Sequence, residues 1–161
     1  ERVADAEMQR VRRELRSTGQ PALLARAELH HCATRVAALQ AGDCPAFELL
    51  AADAAPADQA YARYLQGRAT EADRALLPPA QRQPLADVAD PFSRLVAAGV
   101  RLQTGQITPA EVARAVDTAS AQGWRRPLLA WLGVQRQRAL QAGDAAEAAR
   151  LQRRMDLVTA R

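Results

Sequence analysis

The chain is 161 residues long, and its 48% hydrophobic and 25% charged residues exclude an intrinsically disordered protein. The formal net charge is +4, and all 22 basic residues are arginine. A chain of this length can bury a core without a metal or a disulfide, so residues 1–161 are predicted to form a single domain. No apolar run approaches the ~20 residues of a membrane-spanning helix, so no membrane span is predicted.

The N-terminal third, residues 1–54, is predicted to be helical. A first helix over 3–16 carries an apolar stripe at intervals of four, three and four residues, formed by Ala4, Met8, Val11 and Leu15. A second helix is predicted over 21–40, ended by Gly42. Asp43 is then a candidate N-cap for a short helix through residues 47–50.

Cys32 and Cys44 are the only cysteines, and they permit either one disulfide or two reduced thiols in the core. If the second helix ran straight to Gly42, Cys32 would lie about 15 Å from the turn. A disulfide needs Cα atoms about 4.4–6.8 Å apart, so the helix must end early and the chain must fold back through 41–44. We predict the disulfide, which favours an oxidising compartment such as the bacterial periplasm.

Residues 55–161 are predicted to form three helical hairpins with corners at Gly67, Gly105 and Gly143. The two intervals between these glycines are both 38 residues, and an alanine follows each glycine by five residues. At the middle corner, Thr108 and Glu111 have the spacing of a capping box. A period of this length is typical of stacked helical hairpins, so each alanine is expected where two helices cross closely.

The stretch between the first two corners is interrupted by prolines. Three prolines within 78–84 exclude a regular helix interior, so a hinge or long loop is predicted there. Asp90 and Pro91 then have the order of an N-cap and a first helical residue. Gly99 lies inside the helix that follows and costs about 1 kcal/mol relative to alanine. Its presence predicts the close approach of a neighbouring helix.

Aligned on the glycines, the three copies read Gly-Arg-Ala-Thr-Glu-Ala, Gly-Gln-Ile-Thr-Pro-Ala and Gly-Asp-Ala-Ala-Glu-Ala. The last unit, which includes Leu132, Ala139, Gly143 and Ala148, resembles a degenerate tetratricopeptide hairpin, and the resemblance extends over about residues 55–160. The period is longer than the roughly 34 residues of that family. The resemblance implies a short all-α solenoid that binds proteins in a groove and has no catalytic residue. The alternative is a compact all-α bundle in which glycines end the helices without a true repeat.

Both tryptophans lie in one short segment together with two arginines. Tryptophan and arginine are enriched at the energetic centres of protein interfaces. Trp124, Arg125, Arg126 and Trp131 are therefore predicted to bind a partner. The alternative interpretation is that the tryptophans close the core between the last hairpins.

The sequence contains no recognised catalytic or metal-binding pattern. His30 and His31 are adjacent, so on a helix their side chains diverge by about 100° and cannot bind one metal together. There is no glycine-rich phosphate loop and no nucleophile elbow, and no serine has a histidine near it in sequence. The protein is predicted not to be an enzyme, with neither a cofactor nor a metal.

The charge is uneven along the chain. Residues 74–161 carry thirteen arginines against seven acidic residues, whereas 43–73 carry two arginines against six. This favours a charged partner, and the main hypothesis is a protein-interaction adaptor or scaffold of a bacterial envelope assembly whose partner has an acidic patch. One alternative is a nucleic-acid-associated regulator, which steeply salt-dependent DNA binding would reveal. A further alternative is an inhibitor or immunity-type partner protein.

Overall fold

The computed structural model describes residues 2–40 and 42–160, with side chains from Ala6 onward. Within these ranges the chain is helical and has no strand, which confirms the all-α prediction. The helices are α1 (Arg2–Ser17), α2 (Pro21–Ala37), α3 (Pro45–Glu48), α4 (Pro56–Leu65), α5 (Glu71–Arg74), α6 (Pro91–Gln103), α7 (Pro109–Ala121), α8 (Arg125–Gln141) and α9 (Ala145–Thr159). Short 3₁₀ turns cover Ala51–Asp53, Pro79–Gln81 and Leu85–Asp87.

Helix α1 packs against α2 and is otherwise largely exposed. Of its predicted apolar stripe, Met8 and Leu15 are half-buried, Val11 is exposed, and Ala4 lies outside the described side chains. The two helices are joined by an ion pair in which Arg12 Nη2 donates to Glu28 Oε2 at 2.7 Å. Because Glu28 is buried, its carboxylate needs this charged partner to offset the loss of water.

Helix α2 ends earlier than predicted, at Ala37 instead of residue 40. Leu39 takes a left-handed φ of +57°, and the amide of Gln40 donates to the carbonyl of Arg35 at 2.8 Å. These are the features of a Schellman motif, which usually has glycine where Leu39 stands. The prediction relied on Gly42 as the terminator, and it was wrong because a leucine rarely adopts this conformation.

The predicted cap at Asp43 was also wrong. The N-cap position of α3 is taken by Cys44, and no side chain caps this helix. The carboxylate of Asp43 instead forms an ion pair with Arg68, just after α4. Asp43 therefore joins α4 to the turn after α2 and does not begin α3.

Two later helices converge on the C-terminal end of α2. A Cβ added at Gly99 of α6 would lie 2.5 Å from the carbonyl oxygen of Val36, which confirms the predicted close approach of a neighbouring helix. One residue further along α2, the carbonyl of Ala37 accepts a hydrogen bond from Trp131 Nε1 at 3.2 Å. A helix leaves its last carbonyls without partners of its own, and the indole N–H satisfies one of them. The end of α2 is thus one place where the early and late parts of the chain are joined.

Helices α6 and α7 form one antiparallel hairpin. The start of α6 meets the end of α7, where Arg94 Nη1 donates to Thr118 Oγ1 at 3.1 Å. At the other end, Arg101 Nε lies 3.0 Å from Glu111 Oε1. The capping box predicted at the Gly105 corner is present, with the Glu111 amide 3.2 Å from Thr108 Oγ1.

Helices α8 and α9 form a second antiparallel hairpin around Gly143, but the Gly67 corner differs. It leads into α5, a single turn capped by Thr70, and then into the irregular proline-rich stretch. The first of the three predicted hairpins therefore lacks a second long helix. Three prolines prevent one from forming there.

Among the three aligned alanines, only Ala148 is buried, while Ala72 and Ala110 are exposed. The reason is the position of the cap. Thr70 and Thr108 cap their helices three residues after the glycine, whereas Asp144 caps α9 one residue after it. Ala148 is consequently the fourth residue of its helix, and the other two alanines are second residues that face solvent. The tetratricopeptide resemblance stays a prediction.

Candidate partner-binding site

The residues Trp124, Arg125 and Arg126, here called the Trp–Arg corner, lie where α7 ends and α8 begins. Gly123 turns the chain with a φ of +65°, and the amide of Trp124 donates back to the carbonyl of Ala119 at 3.0 Å. Trp124 takes the N-cap position of α8, so the helix begins at Arg125. The indole of Trp124 is half-buried against the core, and both arginines are exposed.

The arginines at this end of the bundle have different roles. Arg125 Nη2 donates to the carbonyl of Thr159 at 2.8 Å and so satisfies the last residue of α9. Arg154 Nη2 reaches Ser120 Oγ at 3.4 Å. The Arg126 side chain has no hydrogen bond or ion pair with the described part of the chain. No described residue therefore occupies the N–H groups of its guanidinium.

Trp131 cannot belong to this surface. Its side chain is wholly buried and its N–H is already bonded to the carbonyl of Ala37. The prediction that Trp131 binds a partner is corrected, because no partner can reach it in the folded protein. For Trp131 the alternative interpretation is therefore the correct one, because its side chain closes the core.

Leu157 is an exposed apolar residue that the predicted site did not include. Its side chain is 78% exposed on the last turns of α9, the helix end that Arg125 contacts. The helical periodicity carried a signal for this position. Ala148, Leu151, Met155 and Val158 follow intervals of three and four, and Leu157 falls outside that stripe.

A second surface feature is a groove of about 660 Å³ between the end of α4, the α5 turn, the proline-rich stretch and α6. Leu77, Leu85 and Val100 are among its apolar lining residues. Arg74, Arg82 and Arg101 also line it, and the described lining includes no acidic residue. We call it the arginine groove. The sequence predicted an irregular segment here but not a cavity, because the opposite wall comes from α6.

The proline-rich wall of the arginine groove is held by side chains. Tyr64 donates from its hydroxyl to Gln81 Oε1 at 2.9 Å, and Gln81 Nε2 donates to the carbonyl of Ser93 at 3.4 Å. Burial raises the pKa of the Tyr64 hydroxyl, so this group stays a neutral donor. The wall is thereby tied to both α4 and α6.

The α5 turn is held equally firmly. Arg63 Nε donates to Asp73 Oδ2 at 3.0 Å, and the amide of Thr70 donates to the same oxygen at 2.8 Å. The hydrogen bond from Arg63, followed by the one from Thr70, holds the pKa of the Asp73 carboxyl well below its usual range. Asp73 is therefore ionised at neutral pH and keeps the α5 turn against α4.

Cys32 and Cys44 lie together as a disulfide-compatible pair. Their Cα atoms are 5.7 Å apart, and both side chains are buried. A disulfide requires the second helix to end early and the chain to fold back. Both requirements are met, because α2 ends at Ala37 and the chain after it returns toward Cys32. No group of three histidine, cysteine or acidic side chains suited to a metal occurs within the described residues.

No protein-family model, curated protein or solved structure matches this chain. None of the helices within residues 2–40 and 42–160 combines the length and the apolar character required to cross a membrane.

Proposed function

We propose that the protein is a non-enzymatic adaptor that binds another protein through the Trp–Arg corner. The observation that carries this proposal is Arg126, an exposed arginine whose guanidinium has no partner within the described chain, next to a half-exposed tryptophan. Arginine and tryptophan dominate the energetics of protein interfaces. The surface is thus suited to recognising a folded partner.

The neighbouring groups support an acidic partner. Arg125 and Arg154 add positive charge to the same end of the bundle, although each already has one hydrogen bond. Leu157 supplies an exposed apolar surface on α9. A carboxylate of the partner can accept two parallel hydrogen bonds from the Arg126 guanidinium. A partner large enough to cover Leu157 as well as Trp124 would also bury apolar area.

The proposal is tested by recovering the partner from an extract of the native organism with immobilised protein, followed by mass spectrometry. Two variants, Trp124→Ala and Arg126→Glu, are expected to reduce partner recovery about tenfold or more, as hot-spot substitutions do. The matched control is Arg13→Glu, which reverses an exposed charge on α1 that also lacks a partner in the described chain. This control should leave recovery unchanged.

Arg125 is deliberately kept in these variants because its contact with Thr159 holds the end of α9. Thermal unfolding of each variant shows whether a loss of binding reflects a loss of structure. If recovery is the same for the wild type, both corner variants and the Arg13 control, the Trp–Arg corner is not the binding surface.

We further propose that the protein functions in an oxidising compartment, such as the bacterial periplasm, with Cys32 bonded to Cys44. The support is the proximity of two buried cysteines in a chain that contains no other cysteine. Disulfides persist in exported proteins and are rare in the cytosol.

Thiol titration of freshly purified native protein in denaturant checks the compartment. We expect no reactive thiol before reduction and two after it, one from each cysteine. Purification with a thiol-blocking reagent present from cell lysis prevents oxidation in air from producing the same result. Two blocked thiols in the purified protein would contradict the oxidising compartment.

A further inference from the structure

We infer that the arginine groove is a second binding site, which takes an extended peptide segment with a carboxylate side chain. This inference rests on the proposed adaptor function, since it specifies a further contact with a protein partner. It concerns a different surface from the Trp–Arg corner, so the two contacts can be tested separately.

The size and lining of the arginine groove suit a peptide. Its volume of about 660 Å³ falls within the range of about 300–1,000 Å³ that is typical of ligand-binding clefts. Leu77, Leu85 and Val100 form an apolar lining that can receive one hydrophobic side chain. In an extended peptide, side chains two positions apart point to the same side, so the residues two positions before and after this side chain also face the arginine groove.

The charges of the groove lining indicate which side chain the peptide carries at one of these positions. Two of the three groove arginines have acidic partners outside the groove: Arg74 lies 3.3 Å from Glu71, and Arg101 lies 3.0 Å from Glu111. The Arg82 side chain is exposed and has no hydrogen bond or ion pair within the described residues. With no acidic residue in the described lining, Arg82 is the group best placed to bind a carboxylate of the ligand.

The polar lining favours a peptide over a simple anion. Gln83 and Gln106 are exposed and line the arginine groove, and their side-chain amides have no hydrogen bond within the described chain. Each of these amides both donates and accepts, which matches the paired N–H and C=O groups of an extended backbone. An inorganic anion would use only the donors, whereas a peptide uses both kinds of group.

The test is a selection of random octapeptides displayed on phage against the immobilised full chain, followed by fluorescence polarisation with the most enriched peptide, labelled with fluorescein. We expect the enriched peptides to contain more aspartate and glutamate than the starting library. Arg82→Glu should raise the Kd of the labelled peptide about tenfold or more, in line with the loss of a charge-assisted pair. Arg126→Glu and the control Arg13→Glu should change it less than about twofold, since exposed distant charges contribute little.

Several results would overturn the groove inference. These are the absence of enriched peptides, enrichment without an excess of acidic residues, or a Kd unchanged by Arg82→Glu. Binding lost with Arg126→Glu instead would assign the peptide to the Trp–Arg corner, which overturns the groove and supports the adaptor. The partner recovery described above fails or succeeds independently, because its variants leave Arg82 intact. The Arg82 side chain has no polar contact with the described residues, and its backbone hydrogen bond to Pro79 does not depend on the side chain, so thermal unfolding of Arg82→Glu should match the wild type.

Discussion

Truncation of Trp131 to alanine is expected to lower the free energy of unfolding by about 3–5 kcal/mol, the cost typical of removing a large buried aromatic side chain. Trp131 is wholly buried, so its loss leaves a cavity between α8 and the end of α2. The substitution also removes the donor to the carbonyl of Ala37. Chemical denaturation followed by circular dichroism measures the change.

Two companion variants separate the contributions of Trp131. Trp131→Phe keeps much of the ring but leaves the Ala37 carbonyl without its donor, which costs about 1–3 kcal/mol. This variant also keeps the prediction testable if the alanine variant does not fold. Trp124→Ala is the matched control, because that indole is only half-buried and should cost less than about 2 kcal/mol. Equal losses for Trp124→Ala and Trp131→Ala would show that Trp131 does not have the special position assigned to it.

Gly99→Ala is expected to lower the free energy of unfolding by about 2 kcal/mol, although alanine is the better helix former by about 1 kcal/mol. The added Cβ would lie 2.5 Å from the Val36 carbonyl oxygen and 2.9 Å from Val36 Cγ1. A backbone oxygen cannot rotate away as a flexible side chain can. Helices α2 and α6 would have to separate, and the loss of their contacts outweighs the gain in helix propensity.

Replacing Gly133 by alanine should change the free energy of unfolding in the opposite direction. Gly133 lies inside α8, and a Cβ there would meet no described atom within 4 Å beyond the adjacent backbone of its own helix. Gly133→Ala should therefore raise the free energy of unfolding by about 0.5–1 kcal/mol. Urea denaturation of Gly99→Ala and Gly133→Ala measures both changes in the free energy of unfolding. A destabilising Gly133→Ala, or a stabilising Gly99→Ala, would contradict the packing described here.

The parts of the fold that were predictable are those determined by local chemistry. The caps at Asp90 and Thr108 were readable because a capping residue and the amide it binds are close in sequence. The close approach at Gly99 was also predictable, since glycine in a helix interior has a cost that packing must offset. The partner of Gly99, Val36, was not, because nothing in the sequence specifies which helix crosses there.

The errors arose where tertiary structure overrides local preference. Leu39 adopts a left-handed conformation that its side chain disfavours by about 1–2 kcal/mol. The contacts of the surrounding turn must offset that cost, and no local pattern reveals them. Trp131 and Trp124 illustrate the same limit for the site, because composition alone does not show which tryptophan is buried. The arginine groove was missed because its two walls, the proline-rich stretch and α6, are brought together by tertiary packing that no local pattern specifies.

The hydrogen bond from the Trp131 indole to the Ala37 carbonyl also determines when, during biosynthesis, the end of α2 can be completed. These two residues are 94 positions apart in the chain. At roughly 5–20 residues per second, a ribosome needs about 5–20 s to add the residues between them. During that interval the end of α2 has been made, but the indole that completes it does not yet exist. A nascent chain that stops before Trp131 should therefore expose the α2 terminus to chaperones and proteases, whereas one that has passed it can bury that terminus.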